Sequence, residues 1–100
     1  MAKTVYSVYI LRCADDTYYT GISADVARRI EEHETSPRGA KYLKGRGPLS
    51  LVFSAVVGDR SAASRVEYRI KKLHRSEKEA LINGSSVLQE LVPDQGRDAG

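Results

Sequence analysis

Two β-prone segments, Val5 to Arg12 and Thr17 to Ile22, are separated by only Ala14-Asp15-Asp16 beyond Cys13, and this short break constrains the fold more than any other feature. Runs rich in β-branched and aromatic residues around such a break read as a hairpin. Strand side chains alternate faces, so the loop length decides which residues share a face. A two-residue turn at Asp15-Asp16 pairs Tyr9 with Ile22 and Tyr19 with Arg12, sending the two phenols to opposite faces. A three-residue loop with Asp16 left-handed pairs Tyr9 with Gly21 and Leu11 with Tyr19, placing both phenols on one face. Aspartate tolerates the left-handed region better than most residues, so the three-residue loop is sterically reasonable.

The rest of the chain reads as alternating helices and one further strand. Ser23 offers an N-cap and Asp25 favours a first turn, so a helix is predicted from there to His33 or Thr35, before Pro37. Val26 and Ile30 mark its apolar stripe, and Arg29 and His33 complete the i, i+3, i+4, i+7 pattern. Arg28 and Glu32 fall on the wet side as a surface pair. Leu49 to Val57 is the strongest strand, followed by a helix from Ala62 to about His74 with the stripe Ala63, Val66, Ile70 and Leu73. Glu67 sits between those apolar positions. Ser76 to Glu79 has the capping-box pattern for a short third helix closed by Asn83-Gly84, and His74 is read as complementing a helix C-terminus. Ser86 to Gln89 suggests a last turn before Pro93. The expected division is a domain over 1–84 and a short turn with a disordered tail over 85–100.

Composition narrows the function classes. One hundred residues make one small domain. Met1 to Leu11 lacks the apolar run of a secretory signal, and no stretch approaches the length of a spanning helix. The single cysteine, Cys13, cannot form an intramolecular disulfide and suits a reducing cytoplasm as a small core side chain. No apolar heptad argues for a homodimer. The net charge is only +3, but Arg38, Lys41, Lys44 and Arg46 cluster in RGAKYLKGR without an acid, with Tyr42 among them. Such a stretch reads either as a solvated loop or as a track for a polyanion, with Tyr42 stacking on a base.

Arg29, His33 and Glu67 are polar groups aimed inward, and buried polar groups need partners or a task. His33 and Glu67 lie on different helices without a clustered ligand motif, which excludes a zinc site. Neither a Ser-His-Asp ordering nor a G-x-x-x-x-G-K loop is present. One inward carboxylate is, however, enough for a single Mg²⁺ or Mn²⁺ that keeps several waters, and arginine suits a phosphate whose charge grows in the transition state. These parts match phosphodiester hydrolysis.

With those residues in place, the chain resembles the GIY-YIG nuclease domain from about Val5 to Asn83. Ser7-Val8-Tyr9 and Tyr19-Thr20-Gly21 stand for the two half-motifs, Arg29 and His33 follow at the family's spacing, and Glu67 opens EYRIKKL on the later helix. TGI followed by RR and H, GAKYLKGRGP and DRSAASRVEYRIKKL resemble the small stand-alone bacterial branch, the YhbQ-like proteins. Ser7 departs from the family's glycine and Thr20 from its isoleucine. The resemblance implies an α+β fold with a small three-stranded antiparallel sheet flanked by helices. It also implies a one-metal endonuclease acting on DNA, in repair or on irregular structures. Glu67 would hold the ion, Arg29 would steady the phosphate, a phenol would act as base with Tyr19 slightly ahead of Tyr9, and His33 would orient a phenol or share its proton. A phenol titrates near ~10, so the metal and Arg29 are expected to lower it. Many members add a DNA-binding domain, and without one the expectation is weak, salt-sensitive, largely sequence-independent binding to DNA, with room for an unidentified protein partner.

Plainer readings stand beside these. The tyrosines serve as strand aromatics, Glu67 and Arg29 as a structural ion pair, and His33 as a satisfied helix-end residue. The alternative function is a nucleic-acid-binding module with little or no cleavage.

Overall fold

The computed structural model describes residues 4–35 and 48–84. Their order is β1 (Tyr6–Arg12), β2 (Tyr18–Ser23), α1 (Val26–Thr35), β3 (Ser50–Gly58), α2 (Arg60–Lys71) and α3 (Arg75–Ile82). The strands form one antiparallel sheet in the order β2-β1-β3. This is the expected α+β architecture, a three-stranded antiparallel sheet flanked by helices.

The hairpin adopts the three-residue loop. Asp16 lies at φ 66, the Cys13 N–H donates to the Thr17 carbonyl at 2.8 Å, and the Asp16 N–H donates to the Cys13 carbonyl at 2.9 Å. Asp15 accepts from the Thr17 hydroxyl at 2.6 Å. Tyr9 therefore pairs with Gly21 and Leu11 with Tyr19.

Central position makes β1 apolar on both faces. Val8 and Ile10 join Val66, Ile70 and Leu81 beneath α2 and α3. Tyr9 and Leu11 point the other way, with Cys13, and meet Tyr19, Val26 and Ile30. Four consecutive strand residues, Val8 to Leu11, are at most 1% exposed, and no alternating half-wet strand could achieve that. Helix α2 lies across all three strands, using Ala63, Val66 and Ile70 as its buried stripe.

Helix ends differ from expectation in three places, each for a local reason. At α1 the cap is Asp25, whose carboxylate accepts from the Arg28 N–H at 3.2 Å, while Ser23 accepts from the Asp25 N–H at 2.9 Å. At α2 the carboxylate of Asp59 accepts from the Ala62 N–H at 2.8 Å, so the helix starts at Arg60. At α3 the expected Ser76–Glu79 box is displaced by two residues. His74 is the extended N-cap, and Glu77 accepts from its backbone N–H at 2.8 Å. Glu79 is engaged elsewhere, by Arg75 at 3.0 Å and the Tyr18 hydroxyl at 3.4 Å. His74 thus opens α3 instead of closing α2. Asn83 and left-handed Gly84 end α3 as expected.

One long-range clamp was not legible in the sequence. Arg75 donates to the Asp16 carbonyl at 2.7 Å, approaches the Asp16 carboxylate at 3.3 Å, and lies 4.4 Å from the Tyr18 ring centroid. It ties α3 to the hairpin loop. Among the described residues no helix is long and apolar enough to cross a membrane. The Ser86–Gln89 turn, the tail over 85–100, and Arg38, Lys41, Tyr42, Lys44 and Arg46 lie outside the described residues.

Candidate active site

The site is built outward from the edge strand β2. Because Tyr9 pairs with Gly21, its ring extends over a position without a side chain. A Cβ there would lie 2.6 Å from Tyr9 Oη and 2.7 Å from Cζ. Gly21 is absent from the positive-φ residues, so the need for glycine here is space, not backbone freedom. The motif's glycine is the opening through which the phenol reaches the sheet edge. The sequence signal was there, since an interior strand glycine often marks a close approach.

Helix α1 supplies the next two groups. Four residues apart, Arg29 and His33 project on the side facing the tyrosines. Tyr9 Oη and His33 Nε2 are 3.0 Å apart in a buried contact. Tyr19 meets the imidazole edge-on, with ring centroids 5.5 Å apart at 75°, and the two phenol rings are 6.5 Å apart. Arg29 donates to Glu32 at 2.9 Å. Glu32 also approaches Arg28 at 3.6 Å, so it belongs to the site's border and not only to the wet face.

Glu67 comes from the opposite side of the sheet, on α2. Its carboxylate is ion-paired with Lys71 at 3.1 Å and its side chain is 23% exposed. The plain reading in which Glu67 and Arg29 pair with each other is therefore overturned: each has its own helical partner three or four residues away. Glu67 is still near enough for its charge to act on the Tyr9 phenol. Among the described residues two concavities lie there. One, about 340 Å³, is lined by Tyr18, Tyr19, Thr20, Lys71 and Lys78. The other, about 210 Å³, includes Arg28, Arg29 and Glu32. Lys71 and Lys78 border the site without having been singled out from the sequence, and Glu32, read only as a surface partner of Arg28, borders it too. Their spacing from Glu67 and Arg29 was the available signal only for Lys71 and Glu32.

The electrostatics run against a simple phenolate. Burial, then the nearby Tyr19, pushes Tyr9 up to about 12; Arg29 opposes this by charge and hydrogen bonding without cancelling it, and Glu67 adds to the rise. The expected lowering is not present in the protein alone. Burial, then the Arg29 charge, pushes His33 below its ordinary value, with Glu32 opposing. His33, pushed below its ordinary value, is neutral near pH 7, and in the tautomer with the proton on Nδ1 its Nε2 accepts from the Tyr9 hydroxyl.

Holding the Tyr9 phenol protonated makes the stability of the fold depend on pH. The phenol's folded pKa is raised, so the associated stability is complete below about 10 and is lost as pH rises from there toward about 12, where the unfolded chain has already released the proton. Urea unfolding at about pH 9 and about pH 11 should show a loss that Tyr9→Phe reduces. An identical loss in that variant would mean the phenol is not held protonated by the fold.

Among the described residues no group of three or more His, Cys, Asp or Glu could hold a metal. A lone, partly exposed carboxylate beside an open concavity fits a hard cation that retains most of its water, and does not fit zinc.

The GIY-YIG catalytic domain matches residues 5–80. The UPF0213 protein YhbQ of Salmonella arizonae is 48% identical over 89 residues, covering 89% of this chain and 88% of the relative. Among solved structures, the solution NMR structure of the UPF0213 protein BH0048 from Bacillus halodurans is 40% identical with a TM-score of 0.52, covering 92% of this chain and 97% of that one. The solution NMR structure of EF2693 from E. faecalis is 34% identical with a TM-score of 0.58, covering 83% and 88%. The protein belongs to the GIY-YIG family, whose catalytic domain is typical of divalent-metal-dependent endonucleases, and its relatives include UPF0213 proteins of the YhbQ type.

Proposed function

We propose that this protein is a metal-dependent endonuclease that hydrolyses DNA phosphodiester bonds with little sequence preference, in the repair or processing of irregular DNA. The observation that carries the reading is the buried 3.0 Å contact between Tyr9 Oη and the His33 Nε2 atom, beside Arg29. Burial alone would give the phenol one partner; here the imidazole and the Arg29 guanidinium both reach the same oxygen. Cytoplasmic placement belongs to the same proposal and is supported by Cys13, a buried free thiol.

In the proposed reaction a water attacks phosphorus. As the oxygen–phosphorus bond forms, the water proton passes to Tyr9 Oη while the phenol's own proton moves to neutral His33 Nε2. This relay avoids a free phenolate, which burial disfavours. Arg29 offers its guanidinium to the growing negative charge, and Glu32 holds it in position. The bond from phosphorus to the 3′ oxygen breaks, and that oxygen takes a proton from solvent. Glu67 would hold one Mg²⁺ or Mn²⁺, which when bound supplies Lewis-acid stabilisation to the phosphate and the leaving oxygen. Lys71 would have to release the carboxylate first.

The test is incubation of supercoiled and single-stranded DNA with the protein, with and without Mg²⁺ or Mn²⁺, beside Arg29→Ala and Glu67→Gln. Each variant is expected to lower cleavage by about 10²–10³-fold. Cleavage unchanged in both would point to a contaminating nuclease.

The second reading, a nucleic-acid-binding module with little or no cleavage, is favoured by one observation: a phenol pushed up to about 12 is a poor base. DNA binding without cutting under every metal condition would establish it. The loop residues Arg38, Lys41, Tyr42, Lys44 and Arg46 are proposed as nucleic-acid contacts on their charge alone. Lys41→Ala with Lys44→Ala should weaken binding to duplex DNA and reduce the salt slope by about 1.8. Unchanged affinity would remove the loop from the binding surface.

A further inference from the structure

A groove of about 960 Å³, larger than either concavity at the site, runs along the outer face of α2 and is lined by Arg60, Ser61, Ser64, Arg65, Tyr68 and Arg69. Its charge pattern is not that of an ordinary solvated helix. Helices α1 and α3 intersperse acids with their arginines, giving the Arg28–Glu32 and Arg75–Glu79 pairs. From Arg60 to Lys72, by contrast, five cations accompany one acid, and that acid, Glu67, is paired with Lys71. Among the described residues Arg60, Arg65 and Arg69 have no acidic partner within ion-pair distance. Concentrating like charges on one face is unfavourable unless an anion complements them.

Tyr68 adds a second observation. It is 61% exposed, outside either hydrophobic cluster, and Lys72 Nζ lies 4.9 Å from its ring centroid. Unpaired cations and hydroxyls around an exposed aromatic match a polyanion whose repeating units carry flat rings. Bases in a duplex are already stacked on one another, whereas an unpaired base can lie on the tyrosine.

We propose that this face of α2 is a second nucleic-acid contact that holds a single-stranded stretch, with phosphates on Arg65 and Arg69 and a base on Tyr68. The choice of DNA as the polyanion rests on the nuclease reading above. Glu67 and Tyr68 are adjacent, about 100° apart around the helix. A strand engaged at Glu67 can therefore continue onto Tyr68 while Ala63, Val66 and Ile70 stay turned into the core. The groove holds the stretch flanking the bond to be cut.

Fluorescence anisotropy with a labelled single-stranded oligonucleotide of about 15 nucleotides, in EDTA, tests the contact independently of cleavage. The Arg65→Gln/Arg69→Gln double variant should bind about tenfold more weakly at low salt, with the salt slope reduced by about 1.4. Tyr68→Ala should lose about five- to tenfold and Tyr68→Phe should retain wild-type affinity, with less than about a twofold loss for Tyr68→Ala on a matched duplex. All these side chains are at the surface, and circular dichroism verifies folding.

Wild-type affinity and slope in the variants, no binding by the wild type, or an equal Tyr68→Ala loss on duplex would overturn the proposal. So would displacement of the oligonucleotide by polyglutamate as effectively as by unlabelled poly-dT, which would make the face an acidic-protein surface. If binding depends on these residues while no DNA is cut, the contact stands and the nuclease reading fails. If Tyr9 and Arg29 govern cleavage while the α2 variants bind normally, the reverse holds.

Discussion

Replacing Tyr9 with phenylalanine is expected to lower DNA cleavage by about 10²–10⁴-fold while the protein still folds. The ring keeps its place, since Tyr9 is only 1% exposed among Leu11, Cys13 and Tyr19. What disappears is the oxygen 3.0 Å from His33 Nε2, and with it the route by which a proton could leave the attacking water. Loss of that buried hydrogen bond should cost about 1–2 kcal/mol of stability, readable by urea unfolding. Tyr19→Phe should have the smaller effect on cleavage, because Tyr19 meets the imidazole edge-on. Wild-type cleavage by Tyr9→Phe, or a larger loss in Tyr19→Phe, would move the proton-accepting role to Tyr19.

Gly21→Ala should be as damaging to cleavage and more damaging to the fold. The added methyl group would stand 2.6 Å from Tyr9 Oη, 2.7 Å from Cζ and 3.2 Å from the Tyr19 ring. Buried Tyr9 has little freedom to retreat, so either the phenol leaves His33 or edge strand β2 is pushed outward. Overpacking of this kind costs about 1–3 kcal/mol, and either movement breaks the contact on which the proposed relay depends. Unfolding curves and cleavage rates measured side by side would show both losses. A stable, fully active Gly21→Ala protein would mean the phenol is not seated over β2 in the working enzyme.

These two residues also show how far the residues alone could be read. That both tyrosines share a face followed from a loop of three residues and an aspartate willing to be left-handed, because hairpin register is a local property. The apolar stripes of α1 and α2 were legible for the same reason. Helix ends were less so: Asp25, Asp59 and Glu77 accept the first free backbone N–H groups of their helices a residue or more from the expected caps, and Glu79 was drawn away by Arg75 and by Tyr18 from elsewhere in the chain.

The chain's periodicities and short loops determined its elements, the pairing of β1 with β2, and the burial of His33, since each depends on neighbours a few positions away; Arg29 and Glu67, read as inward, keep side chains 33% and 23% exposed at the site's border. Only the tertiary structure decided that the Tyr9 oxygen crosses Gly21 to meet His33, that burial raises this phenol instead of lowering it, and that Glu67 pairs with Lys71 and not Arg29. Solvent exclusion and contacts across the sheet set those outcomes, and both arise only once α1 and α2 have closed on opposite faces of β1 and β2.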